Sequence, residues 1–256
     1  MNMWRVAAGA MIATAAVAMS AAPAMASGPT GPMPYTCAGG DIPSGTYASI
    51  AVSGFCDVPA GAVVSVVGNI DVGTGALLDA QSAPSTITVG HNVTAAAGSF
   101  LGLGCQPDYP HNTGHPCTVD PSGRSVVTVT GNITSTDAST VLLNGITVGR
   151  NVTLTGGGGD IPWSIKNDMI AGNVTISDVT ADWLGMLFNQ IAGNATLTNI
   201  TATDPGDPGR KIFVVRNTIG RNLNCSGLEP GVSGGFFPGE VNTVGRNATG
   251  QCAALV

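Results

Sequence analysis

The chain has 256 residues, a formal net charge of −6 and only 9% charged residues, against roughly 25% in ordinary soluble domains. That excludes nucleic acid as a natural partner, because phosphate binding needs clustered Lys and Arg, and the tightest basic group here is Arg210, Lys211 and Arg216. Glu, Lys and Gln are scarce, while Thr, Val, Ile, Asn and 37 glycines abound, a composition of strands and tight turns.

The first element in chain order is an export signal. Arg5 supplies the basic start, Val6 to Met19 is almost wholly apolar or small, and Ala24-Met25-Ala26 has the small-x-small pattern of a cleavage site. A signal peptide is predicted over 1–26, cut before Ser27. No later segment reaches the ~20 apolar residues of a spanning helix, so a secreted chain with no membrane span after cleavage is expected. Residues 27–58, with Pro, Gly, Tyr35 and two cysteines, read as an N-terminal cap ahead of a domain over 59–256.

Within that domain one phrase returns: an aliphatic residue, a glycine, an asparagine, then an aliphatic residue and often threonine. It occurs around Asn69, Asn92, Asn132, Asn151, Asn173, Asn194, Asn222 and Asn247, at steps of 23, 40, 19, 22, 21, 28 and 25 residues. Most steps are a single period of a little over twenty, and the step of 40 fits two. Such a period marks a repeat architecture. No amphipathic 3.6-residue stripe accompanies it; each unit instead carries short alternations such as Val126-Val127-Thr128-Val129, which are strand patterns.

The repeat predicts an all-β chain: a single-stranded, right-handed parallel β-helix of about eight or nine coils, each wrapping through three short strands. Glycine beside asparagine suits the turns, since both tolerate a left-handed backbone, and stacked asparagines are able to hydrogen-bond as a ladder. On these phrases, and on the closing Asn222-Leu223-Asn224-Cys225-Ser226-Gly227 with Gly250-Gln251-Cys252, the chain resembles pectate-lyase-like right-handed β-helix proteins. More specifically it resembles small exported actinobacterial β-helix proteins of unknown function. The resemblance implies architecture and little of function. The polygalacturonate-cleaving signatures survive only as scattered fragments, such as Gly90-His91-Asn92 and Asn167-Asp168, so no catalytic residue is transferred.

Six cysteines follow the signal, with no CxxC pair, which favours disulfides. Fifteen connectivities are open; pairing of neighbours, Cys37–Cys56, Cys105–Cys117 and Cys225–Cys252, is the expected one. It would pin a C-terminal cap over 222–256 and close a loop insertion over 103–124, which contains His111 and His115. Eight Asn-x-Ser/Thr triplets fall mostly on the turn phrase and read as packing asparagines, not glycan acceptors.

The sharpest chemical pattern is a row of acids. Asp160 and Asp182 lie nine residues after their turn asparagines and Asp204 ten after its own, so in a regular stack they share one face. Such carboxylates are a candidate site for Ca²⁺, which takes oxygen ligands, or a sugar face with Trp163 and Trp183 nearby. The bland alternative is that all three are turn residues. The reading with most support is a secreted, non-enzymatic structural, adhesive or binding protein of the cell envelope or extracellular space, with extracellular polysaccharide or cell-wall components as partners. The alternative is a carbohydrate-active enzyme or sugar-binding module using the acidic face. Oligomeric state is not legible.

Overall fold

The computed structural model describes residues 31–110, 112–204, 212–234 and 241–256. The expected signal peptide over 1–26, His111, Arg210 and Lys211 lie outside them. The described chain is all-β, and its strands form two sheets, of twenty and nine strands. Every strand pair is parallel, from Met33–Cys37 against Gly45–Val52 to Leu223–Glu229 against Ala248–Gly250. Pro32–Val256 forms one unit.

Each repeat contributes to three rows of strands. One row runs from Val63–Val66 through Thr86–Val89, Val126–Val129, Thr147–Val148, Met169–Ile170, Gln190–Ile191 and Thr218–Ile219 to Thr243–Val244. A second starts at Ile70–Val72 and ends at Ala248–Gly250. The nine-stranded sheet is the third, from Gly40–Asp41 to Val232–Ser233. Partners sit one sequence period apart, an arrangement compatible with a β-helix-like solenoid.

The alternating pattern explains which side is core. Val66, Val89, Val129, Val148, Ile170, Ile191 and Ile219 share one register position and are all buried, in one continuous apolar cluster. Between them, Ser65, Thr88 and Thr128 face outward in register. Alternation at period two thus turns identical β-branched residues into stacked columns.

The turn between the first two rows carries the asparagines. The backbone N–H of each asparagine from Asn92 to Asn247 donates to the Oδ1 of the asparagine one repeat earlier, at 2.8–3.3 Å. From Asn92 to Asn222 the Nδ2 donates to the same oxygen. Glycine precedes them for a steric reason. A Cβ on Gly149 would lie 2.3 Å from the carbonyl oxygen of Thr130, and one on Gly131 would lie 2.3 Å from that of His91. Each repeat therefore keeps one glycine in the two positions before its asparagine, either Gly-x-Asn or x-Gly-Asn.

Two differences from the sequence reading stand out. The step of 40 is not two periods. Asn132 N–H reaches Asn92 Oδ1 at 2.9 Å and Ile133 pairs with Val93, so this is one repeat whose chain leaves the sheet after Leu103 and returns at Val126. The second is a buried ladder the phrase did not announce. Asp168, Asn189 and Asn217 each donate a backbone N–H to the side-chain Oδ1 of the next member, Asn189, Asn217 and Asn242, at 3.0 Å.

Disulfides join Cys37 to Cys56, Cys105 to Cys117 and Cys225 to Cys252. Three disulfides are compatible with an extracellular protein. Among the described residues no helix is long and apolar enough to cross a membrane.

Candidate functional site

The acidic row is only partly aligned. Gly159 is in register with Ala181, which places Asp160 beside Asp182. Ala181 is in register with Ala202, which sets Asp182 opposite Thr203 and Asp204 one position beyond. The backbone adjusts locally there: both Thr203 and Asp204 N–H groups reach the Asp182 carbonyl, at 3.1 and 2.9 Å. Asp160 is exposed and the other two half-buried. Among the described residues no group of three or more His, Cys, Asp or Glu side chains is placed to hold a metal ion.

The tryptophans do not flank this row as a sugar platform. Trp163 is 1% exposed, part of the core, with its Nε1–H donating to the Ser139 carbonyl at 3.0 Å. Its strand position faces inward, so the indole fills the interior. Trp183 is half-buried and edge-on to Phe213, with ring centroids 6.1 Å apart.

Between Cys105 and Cys117, the residues Asn112, Thr113 and Gly114 meet the nine-stranded sheet at Lys166 and the following Asn167. Lys166 Nζ donates to the Gly114 carbonyl at 2.9 Å and to Thr113 Oγ1 at 3.3 Å. Asn167 Nδ2 donates to the Thr113 carbonyl at 3.1 Å, and Asn167 Oδ1 accepts from Asn112 Nδ2 at 2.7 Å. Asp108 Oδ1 accepts from Gly114 N–H at 2.7 Å, and Arg124 bonds Gln106 and Tyr109. Burial pushes the Lys166 ammonium below its ordinary pKa, with Asp108 pulling the other way. Burial, and then the Lys166 charge, holds His115 down too, against the opposite influence of Asp79 and Asp108. These groups are spent on each other, so the cluster works as a clamp on the insertion. Cys105→Ser/Cys117→Ser is expected to cost about 2–3 kcal/mol, the scale for a short disulfide-closed loop. It should also raise the His115 pKa toward its ordinary value as the insertion loosens and hydrates. Denaturant titration and the His115 ring NMR shift against pH check the two parts; an unmoved His115 would place its desolvation elsewhere.

A hollow open to solvent lies on the first row of strands. It has a volume of about 420 Å³ and crosses the strands Thr147–Val148, Met169–Ile170, Gln190–Ile191 and Thr218–Ile219. Thr147, Met169, Gln190 and Thr218 form one wall in register. Gly149, Ala171, Ala192 and Gly220 form a floor of small residues. A second, smaller hollow of about 260 Å³ continues along the turn, lined by residues that include His91, Gly131, Asn132 and Arg150.

The floor is bordered by the residue that immediately precedes each ladder asparagine. Down the stack these are Gly68, His91, Gly131, Arg150, Gly172, Gly193, Arg221 and Arg246. The four side chains among them are all exposed. Those of Arg150, Arg221 and Arg246 make no hydrogen bond or ion pair with another described residue. An acidic chain thus aligns three of its few arginines on one edge. The sequence showed these residues in the variable slot of the turn phrase. What it hid was their spacing, because the 40-residue step counts as a single strand step.

Comparison with known proteins yields no match: no family model, no curated protein and no solved structure matches the chain.

Proposed function

We propose that the chain is an exported right-handed, single-stranded parallel β-helix of the pectate-lyase-like architecture that works outside the cell as a non-enzymatic binding rod. Its ligand is a polysaccharide of the extracellular space or cell envelope, held in the groove over Gly149, Ala171, Ala192 and Gly220. The groove is the observation that carries this reading: about 420 Å³ open to solvent, built on four successive strands and running across them. A long thin ligand lying across the strands meets the same chemistry at each step, a small residue below and a Thr, Met or Gln beside it. Thr147, Gln190 and Thr218 offer hydroxyl and amide partners for sugar hydroxyls, and the small floor lets the flat face of a ring approach the backbone. The repeat fits an exported, disulfide-pinned setting, where a charge-poor rod needs no cofactor to stay folded.

The test is binding of size-fractionated soluble polysaccharides by calorimetry, with Ala171→Ile/Ala192→Ile as the partner protein. Both alanines are exposed on the floor, and β-branched residues are at home in strands, so the variant should fold and fill the groove. Binding by the parent that falls at least ten-fold in the variant is the expected outcome. Equal affinity in both would move the ligand off this face.

A further inference from the structure

We infer that the groove selects a linear acidic heteropolysaccharide bearing one carboxylate for every three sugars, and discriminates against a polymer charged on every sugar; this rests on the preceding assignment of the groove to a polysaccharide. The warrant is the spacing of the bordering cations. Strands in a sheet are ~4.8 Å apart, and an extended chain of pyranose rings advances by a similar distance per sugar. Arg150 and Arg221 border the two ends of the groove, three strand steps or roughly 14 Å apart. Outside the groove the spacing differs: His91 precedes Arg150 by two steps, and Arg246 follows Arg221 by one. The steps between carry glycine: Gly131 in the first interval, Gly172 and Gly193 in the second.

Those glycines fix both the sterics and the charge pattern. A Cβ on Gly172 would lie 2.5 Å from the Arg150 carbonyl, and one on Gly193 would lie 2.6 Å from the Gly172 carbonyl. No side chain fits there without a backbone shift, so no cation is available at those steps. A carboxylate seated beside them would lie over Ala171 and Ala192 without a partner, and removing its water there is costly. At Arg150 and Arg221 the situation reverses. A guanidinium accepts a carboxylate through two parallel N–H···O bonds, and both are unpaired within the described chain. On the opposite wall Thr147 and Thr218 are level with the arginines, and the steps between the charges carry the uncharged Met169 and Gln190. A sparse ladder of cations facing a ladder of uncharged side chains is complementary to neutral sugars interrupted by regular acids.

The experiment is calorimetry on the disulfide-bonded chain with four polymers of matched length. These are a copolymer with one uronate in each three-sugar repeat, a homopolymer of uronate, a neutral β-glucan and a poly(glycerol phosphate). This copolymer is expected to bind at least ten-fold more tightly than the other three. That preference should weaken with added salt, and Arg150→Ala/Arg221→Ala should abolish it, with partial rescue by the double lysine variant. Circular dichroism confirms that each variant is folded. Tighter binding of the homopolymer or of the phosphate polymer overturns the inference. If the neutral glucan binds as well as the copolymer and the arginine variants change nothing, the charge selectivity falls while the groove keeps its sugar. If none of the polymers binds the folded parent, the polysaccharide assignment falls as well.

Discussion

Asp168→Asn is expected to stabilise the protein at neutral and alkaline pH, and to remove much of the dependence of its stability on pH between about 4 and 8. Asp168 is 1% exposed; its Oδ1 accepts the Ile146 N–H at 2.9 Å and its Oδ2 has no partner. Burial raises its pKa from 3.8 to about 8, more than the backbone N–H groups of Ile146, Lys166 and Gly145 lower it. The rest of the ladder shows why. In the equivalent places Asn189, Asn217 and Asn242 donate Nδ2–H to the carbonyls of Ile165, Met186 and Val214, at 2.8–2.9 Å. By register, the matching carbonyl for position 168 is that of Leu143. A protonated carboxyl donates to it as an amide would, whereas an ionised one opposes two oxygens.

The folded chain therefore holds a proton that the unfolded chain gives up above pH ~4. Unfolding free energy falls by about 1.4 kcal/mol for each pH unit across that window and levels off near pH 8. The full cost is on the order of 5 kcal/mol. Asparagine keeps the acceptor and supplies a permanent donor. Asp57, whose pKa burial and then Asp79 and Asp41 raise, adds a slope of the same sign. His115, held down, contributes stability that is lost as pH falls below its unfolded value. Both are common to parent and variant, so the difference between the two proteins isolates Asp168. Urea unfolding at pH 5, 6.5 and 8, with disulfides intact, measures it; parallel curves for the two proteins would mean that Asp168 is ionised in the fold.

How much of this was legible in the sequence depends on whether a feature repeats. The asparagines at 69, 92, 151, 173, 194, 222 and 247 announce their own contacts, because a parallel stack turns a sequence period directly into a hydrogen-bond register. The second ladder was equally periodic: Asp168, Asn189, Asn217 and Asn242 each lie five residues before a ladder asparagine. It was missed because no glycine marks it and one member is an acid. The insertion was harder. Lys166 and Thr113 are 53 residues apart and belong to no period, so their meeting follows from where the disulfide-closed chain folds back. Trp163 shows a third limit. Beside Asp160 in sequence it reads as a surface platform, but strand alternation points it inward. The acidic row failed at Asp204 because the register holds unbroken from Val174↔Ala195 to Ala181↔Ala202, so an acid ten residues after its asparagine falls one position beyond one that is nine after. The basic edge became visible only when the long repeat was counted as one step.

The interior ladder should matter more to stability than the conspicuous one at the turn, and Asn217→Ala against Asn173→Ala measures the difference. Asn217 is 1% exposed. Its Oδ1 accepts both Asn189 N–H at 3.0 Å and Asn189 Nδ2–H at 2.9 Å, and its Nδ2 donates to Met186 O at 2.8 Å and Asn242 Oδ1 at 2.9 Å. Alanine leaves the Asn189 N–H and the Met186 carbonyl without these partners in an interior that water does not reach. Each orphaned group costs about 1–3 kcal/mol, so Asn217→Ala is expected to lose about 4 kcal/mol. Asn173 makes a similar set of bonds, accepting from Asn194 N–H at 2.8 Å and donating to Asn151 Oδ1 at 3.2 Å. It is half-buried, so solvent replaces what alanine removes, and the expected loss is about 1 kcal/mol. Chemical denaturation of both variants beside the parent gives the two values. A loss in Asn217→Ala no larger than in Asn173→Ala would mean that water enters the stack between repeats.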